Sequence, residues 1–227
     1  MFDKRNYRTV EARDGYDEWA PSYEATVLDL MDLRLFERIG SVDWAGAKNV
    51  LDLACGTGRI GAWLKKRGVR HLCGLDFSPQ MIERARGKGV YDELLIGDVA
   101  ATGLPGASFD LITESLADEH LAGLESFYGE AHRLVSTGGK LVVVGYHPHF
   151  LMLGMPTHFN SASGEPVAVK TYVHLTSDHV AAAASAGFRL VEMLEGVIDE
   201  AWLSAKPKWS AYRGHPISFA MVWAAEQ

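Results

Sequence analysis

The sequence predicts an α/β fold with a mostly parallel sheet, and three observations carry that expectation. Short apolar runs, at about residues 50–53, 71–75, 93–96, 109–113 and 140–145, alternate with segments of helical periodicity. Uninterrupted apolar strands suit a sheet covered on both faces, which is how parallel strands are packed. The first run passes through a glycine-rich turn, Cys55-Gly56-Thr57-Gly58, into the helical pattern Ala62–Lys66. Finally, the first three runs deliver Asp52, Asp76 and Asp98 to the ends of strands, where open α/β sheets bind ligands.

Composition narrows the function. With 227 residues, 48% of them hydrophobic, the chain suits one domain with a substantial core. A net charge of −7 argues against a partner that is bulk nucleic acid. Cys55 and Cys73 show neither metal-ligand spacing nor a disulfide framework, so no metal is expected. Met1-Phe2-Asp3-Lys4-Arg5 has no apolar run behind it, which predicts no signal peptide. No stretch reaches the length of a membrane span, so a cytoplasmic protein without a membrane partner is expected.

The elements follow in order. Residues 1 to about 40 read as a helical cap, with Asp17, Trp19, Tyr23, Val27, Leu30 and Phe36 at helical spacing and Pro21 as a break. Val50–Leu53 is the first strand; glycine in the turn after it permits positive φ and close approach of a ligand to the backbone. The helix beyond aims its amides at that ligand. His71–Leu75 is the second strand, ending at Asp76. Ser78 then serves as N-cap and Pro79 as first residue of a helix whose inner face is Met81, Ile82 and Ala85. Gly87-Lys88-Gly89 ends it, and Glu93–Ile96 is the third strand. Phe109–Thr113 is the fourth, a helix is expected over about 121–135, and Lys140–Gly145 is the fifth. Tyr146–Lys170 reads as a long loop, Thr176 begins a helix that Gly187 ends, and 188–198 and 217–224 are the last strands. Between them lies a loop over 199–216.

Gly56, Gly58 and Gly61 spell G-x-G-x-x-G, a dinucleotide fingerprint that is weak by itself. Asp52-x-x-x-Gly56-x-Gly58 and Asp76-Phe77-Ser78-Pro79-x-Met81 go further. They resemble motifs of the class I S-adenosylmethionine-dependent methyltransferases, over about residues 16 to 147. The resemblance implies a Rossmann-like, seven-stranded, mostly parallel sheet flanked by helices, with an antiparallel last strand. It implies S-adenosyl-L-methionine as cofactor, with S-adenosyl-L-homocysteine as product. Asp52, Ala54, Gly56, Thr57 and Gly58 would hold its methionine end. Asp76, about 20 positions beyond Gly56, suits the ribose hydroxyls. Phe77, Met81 and Val99 would pack on the adenine side, Asp98 would bond its amino group, and Glu114 ends the fourth strand beside them. The chain then divides into the cap (1–40), a cofactor-binding core (41–147) and acceptor-side loops with the final strands (148–227).

The acceptor side is read from convergence. Tyr16, Trp19 and Tyr23 lie in a segment that resembles the aromatic entry helix of small-molecule methyltransferases. Tyr146, His149, His158, Trp202 and Tyr212 lie in loops leaving the same edge of the sheet. Aromatic loops favour a small, partly apolar molecule as methyl acceptor, methylated at oxygen or nitrogen. In-line methyl transfer mainly needs alignment. A base helps when the acceptor carries a proton, and His120 and His147, which follow strands four and five, are the candidates. The alternatives are an NAD-dependent oxidoreductase, which leaves Asp52 and Asp98 unexplained, and a methyltransferase-like fold used for binding or a non-methylating reaction. The sequence leaves the acceptor and the oligomeric state open.

Overall fold

The computed structural model describes residues 4–226, so Met1–Asp3, part of the leader argument, lie outside the described residues. The chain opens with strand β1 (Arg8–Val10), then helices α1 (Ala12–Trp19), α2 (Tyr23–Thr26) and α3 (Leu33–Phe36). The core follows as β2 (Asn49–Leu53), α4 (Arg59–Lys66), β3 (His71–Asp76), α5 (Pro79–Lys88), β4 (Glu93–Ile96) and β5 (Phe109–Ser115). Next come α6 (Glu125–Leu134), β6 (Val135–Tyr146), α7 (Pro148–Met152), β7 (His158–Asn160) and β8 (Pro166–Val169). The last elements are α8 (Thr176–Ser185), β9 (Phe188–Val197), α9 (Glu200–Ala205) and β10 (Pro216–Ala225).

Seven strands form one sheet in the order β4-β3-β2-β5-β6-β10-β9. Only β10 runs against its neighbours, pairing antiparallel with both β6 and β9. The expected sheet is therefore the observed one. Its centre is dry: Leu141, Val142, Val143 and Val144 of β6 are each 0% exposed. Burying each such side chain stabilises the fold by roughly 1.5–3 kcal/mol. One face packs on Phe127, Tyr128 and Leu134 of α6, and the other on Ile60, Trp63 and Leu64 of α4.

Local chemistry sets the helix ends as the sequence suggests. Ser78 Oγ accepts from the Met81 amide at 3.0 Å, Pro79 occupies the first turn, and Gly89 closes α5 at φ +64°. The Ser78 hydroxyl also donates to Asp17, which ties the cap helix α1 to the start of α5. Gly61 and Gly74 serve packing. A Cβ on either would run into the ring of Tyr91, and the space they leave lets that ring reach beneath the first strand.

Four expectations need correction. Tyr146–Lys170 is no open loop, because it holds α7, β7 and β8. β8 pairs in parallel with β1 (Val10↔Val169) and antiparallel with β7 (Phe159↔Val167), making a second, three-stranded sheet. Its physical cause is burial: Phe159, Val167 and Val169 close over Trp19, whose indole stacks on Phe159 at 5.2 Å and 11°. The cap is accordingly a strand plus helices. The helix expected over 121–135 starts only at Glu125, because Asp118–His120 takes a 3-10 turn, and β6 begins at Val135, which pairs with Phe109. The 199–216 loop contains α9 and a 3-10 turn over Pro207–Tyr212, packed on Trp202, which is 1% exposed.

Candidate active site

At the carboxyl end of β2 the backbone turns through positive φ at Ala54 (+50°), Gly56 (+53°) and Gly58 (+84°). A left-handed alanine is uncommon and marks a loop held against its preference. The loop is held by Asp76 at the end of β3, whose Oδ2 accepts from the Gly56 amide at 2.8 Å and Oδ1 from the Ser78 amide at 2.9 Å. Burial pushes the Asp76 carboxyl up to about 6, against those amides, which lower it. Beneath the loop, Asp52 Oδ2 accepts from the Tyr91 hydroxyl at 2.6 Å and Oδ1 from Thr113 Oγ1 at 2.8 Å. Burial raises its pKa to about 6 as well. Asp52 thus braces the turn from inside the sheet.

Of the other expected cofactor residues, Thr57 lies in the turn itself and the rest follow β3 and β4, lie in α5 or end β5. Thr57 and Met81 are buried, and Phe77 stands 6.5 Å from the Tyr16 ring. Asp98, exposed after β4, accepts from the Ala100 amide at 2.8 Å, while Val99 packs on the main core. Glu114 is buried at the end of β5. Its Oε1 accepts from the Ala117 amide at 2.7 Å, and its Oε2 finds no partner among the described residues. Burial, then the charge of Asp118, hold its pKa well above the carboxylate range. The cap is pinned across the loop by ion pairs of Arg59 with Asp32 (2.8 Å) and Asp29 (2.7 Å) and of Lys88 with Glu24 (2.6 Å).

Beside it opens a cavity of about 1030 Å³. Of the expected acceptor residues, Tyr16, Trp19, Tyr23, Tyr146, His158, Trp202 and Tyr212 line it. His149 does not. Its ring meets His215 at 3.0 Å, outside the cavity wall. Tyr23 lines both this cavity and the small depression over Ala54, Gly56 and Thr57, so the two spaces share a wall.

Neither candidate histidine lines the cavity. His147 caps α7, its Nδ1 accepting from the His149 amide at 3.1 Å, with Nε2 3.2 Å from the exposed Glu195. His120 stands one bond behind the wall. Its Nδ1 donates to the Lys170 carbonyl at 2.7 Å, so Nε2 is the acceptor for the Tyr16 hydroxyl at 2.9 Å. Burial lowers its pKa to about 4, leaving it neutral at physiological pH. Glu119, which the sequence sets after strand four but which read there as better suited to a helix cap than to the chemistry, does reach the cavity. It is 2% exposed, accepts from Thr157 at 3.0 Å, and is pushed up to about 8 by burial and by adjacent Asp118. The only sequence signal for it was the acidic pair after strand four, which also suits a helix cap.

Comparison with known proteins agrees with this geometry. Residues 51–143 match the model of a methyltransferase domain family. The chain is 35% identical over 144 residues to a demethylmenaquinone methyltransferase of Thermus thermophilus, covering 59% of this chain and 64% of that one. To the demethylmenaquinone methyltransferase of Renibacterium salmoninarum it is 31% identical over 184 residues, 74% of this chain and 76% of the relative. A solved S-adenosylmethionine dependent methyltransferase from Mesorhizobium loti shares the fold at TM-score 0.65 and 22% identity, over 93% of this chain and 99% of the other. The chain belongs to the class I S-adenosylmethionine-dependent methyltransferases, whose cofactor is S-adenosylmethionine. The site fits that cofactor. A Cβ at Gly56 would meet nothing nearer than 4.0 Å, so the loop presents open backbone, with the Asp76 carboxylate bonded to that glycine's amide. The dehydrogenase alternative falls away with this assignment.

Proposed function

We propose that this chain methylates a small, partly apolar acceptor, at oxygen or nitrogen, in the aromatic cavity. The supporting observation is the shared wall: Tyr23 borders both the glycine turn and the cavity of about 1030 Å³. Relatives named for a quinone precursor are consistent with a flat apolar acceptor. When bound, S-adenosylmethionine supplies an activated methyl group. Asp76 receives the ribose hydroxyls, Asp98 and Val99 the adenine, and the 54–58 turn the methionine end, with Phe77 and Met81 beside the ring. Asp52 keeps the turn in register.

Tyr16, Trp19 and Tyr23 orient the acceptor and exclude water, which is most of what an in-line displacement asks. His120 acts through Tyr16: by accepting the phenol proton it fixes the ring against the cavity. Glu119, raised to about 8, ionises only at mildly alkaline pH and is then a stronger base than an ordinary carboxylate, placed to take a proton from an acceptor hydroxyl or ammonium. The test is transfer of labelled methyl groups to a panel of aromatic alcohols, acids and amines. Label should enter a product at a rate that rises with pH toward about 8. Glu119→Gln should lower turnover by roughly 10²–10⁴-fold while cofactor affinity survives. Cofactor that binds but never releases its label to any acceptor overturns methyl transfer.

A further inference from the structure

The charges on the cavity wall are unevenly placed. Arg5, Lys206 and Lys208 all line it, and Glu119 is the one acid among the described lining residues. Burial, and then the charges of Arg5, Lys206 and Lys208, disfavour protonation of His158. Arg5 Nη1 lies 3.2 Å from His158 Nε2, and His158 Nδ1 donates to the Pro156 carbonyl at 2.8 Å. That tautomer makes Nε2 an acceptor, so the imidazole is neutral and adds no fourth charge. Lys206 is half-buried, lies 4.8 Å from the centre of the Trp209 ring, and is lowered in pKa by burial and by Lys208. Neither lysine forms an ion pair among the described residues. The like charges of Lys206 and Lys208 repel one another at a partly desolvated wall, and an anion beside them relieves that cost.

We infer that the acceptor carries an anionic group, a carboxylate or a phosphate, which docks between Arg5 and Lys206 while its apolar body lies along Trp209 and Trp19. This rests on the cavity being the acceptor site. The anion end holds the molecule by one terminus, and Tyr16 and Glu119 meet the other part of it. Specificity then comes from a charge-assisted contact at the far end rather than from the apolar wall, which tolerates many shapes.

The experiment uses 2-naphthoate and its neutral analogue 2-naphthamide as probes, titrated calorimetrically into the full chain saturated with S-adenosylhomocysteine. The expected result is that naphthoate binds roughly tenfold more tightly than naphthamide, a preference that falls in high salt. Lys206→Gln should erase most of that preference and leave naphthamide affinity unchanged, which also reports an intact cavity. Naphthyl phosphate as a third probe distinguishes a phosphate site from a carboxylate site. Equal affinity for the charged and neutral probes, a preference that survives both Lys206→Gln and Arg5→Gln, or no binding of any probe overturns the inference. Failure of S-adenosylhomocysteine itself to bind would instead strike the methyltransferase reading.

Discussion

The two walls of the site are built from different materials. The wall around the glycine turn arises where one sheet ends, and its groups come from residues 52–114, set in place by strand register and by the Asp76 carboxylate bonded to two backbone amides. The wall of the aromatic cavity is assembled from distant segments: Tyr16 meets His120 across 104 positions and Arg5 meets His158 across 153. Its substance is aromatic rings stacked on one another, as Trp19 on Phe159 or Trp202 on Trp209 at 5.5 Å. A register-built wall suits a ligand that is always the same. A ring-built wall can be reshaped by substitution without disturbing the sheet.

The largest effect should come from removing a ring. Trp19→Ala takes away a buried indole and should cost about 3–5 kcal/mol in urea unfolding. Below the unfolding midpoint, affinity for S-adenosylhomocysteine should persist. Loss of cofactor binding in step with stability would mean that the walls are one structure.

A smaller effect distinguishes the walls by pH. Asp52 and Asp76 sit near 6 in the fold, above the ordinary 3.8, so each adds stability that is full below about pH 4 and lost as pH rises through 6. His120 sits near 4, below the ordinary 6.5. Its contribution is full above about pH 6.5 and lost as pH falls through 4. Asp76→Asn should therefore flatten a falling trend across pH 4–6, and His120→Gln should flatten a rising one, each by about 1–3 kcal/mol in denaturant midpoints read across that window. Two changes of the same sign would contradict the assignment. The smallest effect belongs to His147, whose partner Glu195 is 51% exposed. His147→Gln should shift stability by about 0.5 kcal/mol or less and leave probe binding in the cavity unchanged.

The glycine turn and the strand ends around it were legible in the sequence because their determinants are local. Asp52 precedes the glycine turn by four positions, and Ser78-Pro79 announces its helix. All seven core strands were readable from apolar runs of the right length. What could not be read depended on pairing across the chain. Nothing near Arg8–Val10 says that it will lie beside Val167–Val169, and a three-residue strand is too short for periodicity to show. Glu119 was read as better suited to a helix cap for a similar reason. Its raised pKa follows from burial beside Asp118, and its bonded partner Thr157 lies 38 positions away. Tyr91 was missed too, since only the space left by Gly61 and Gly74 brings its hydroxyl to Asp52.

The central claim is that a carboxylate at the end of β3 holds an adenosyl cofactor against the glycine turn. Calorimetric titration of the wild-type chain and Asp76→Ala with S-adenosylmethionine, and with NADH as control, tests it most directly. S-adenosylmethionine should bind the wild type, lose about 1.5–3 kcal/mol in the variant, and outcompete NADH. Binding that Asp76→Ala leaves untouched, or NADH bound in preference, would contradict it.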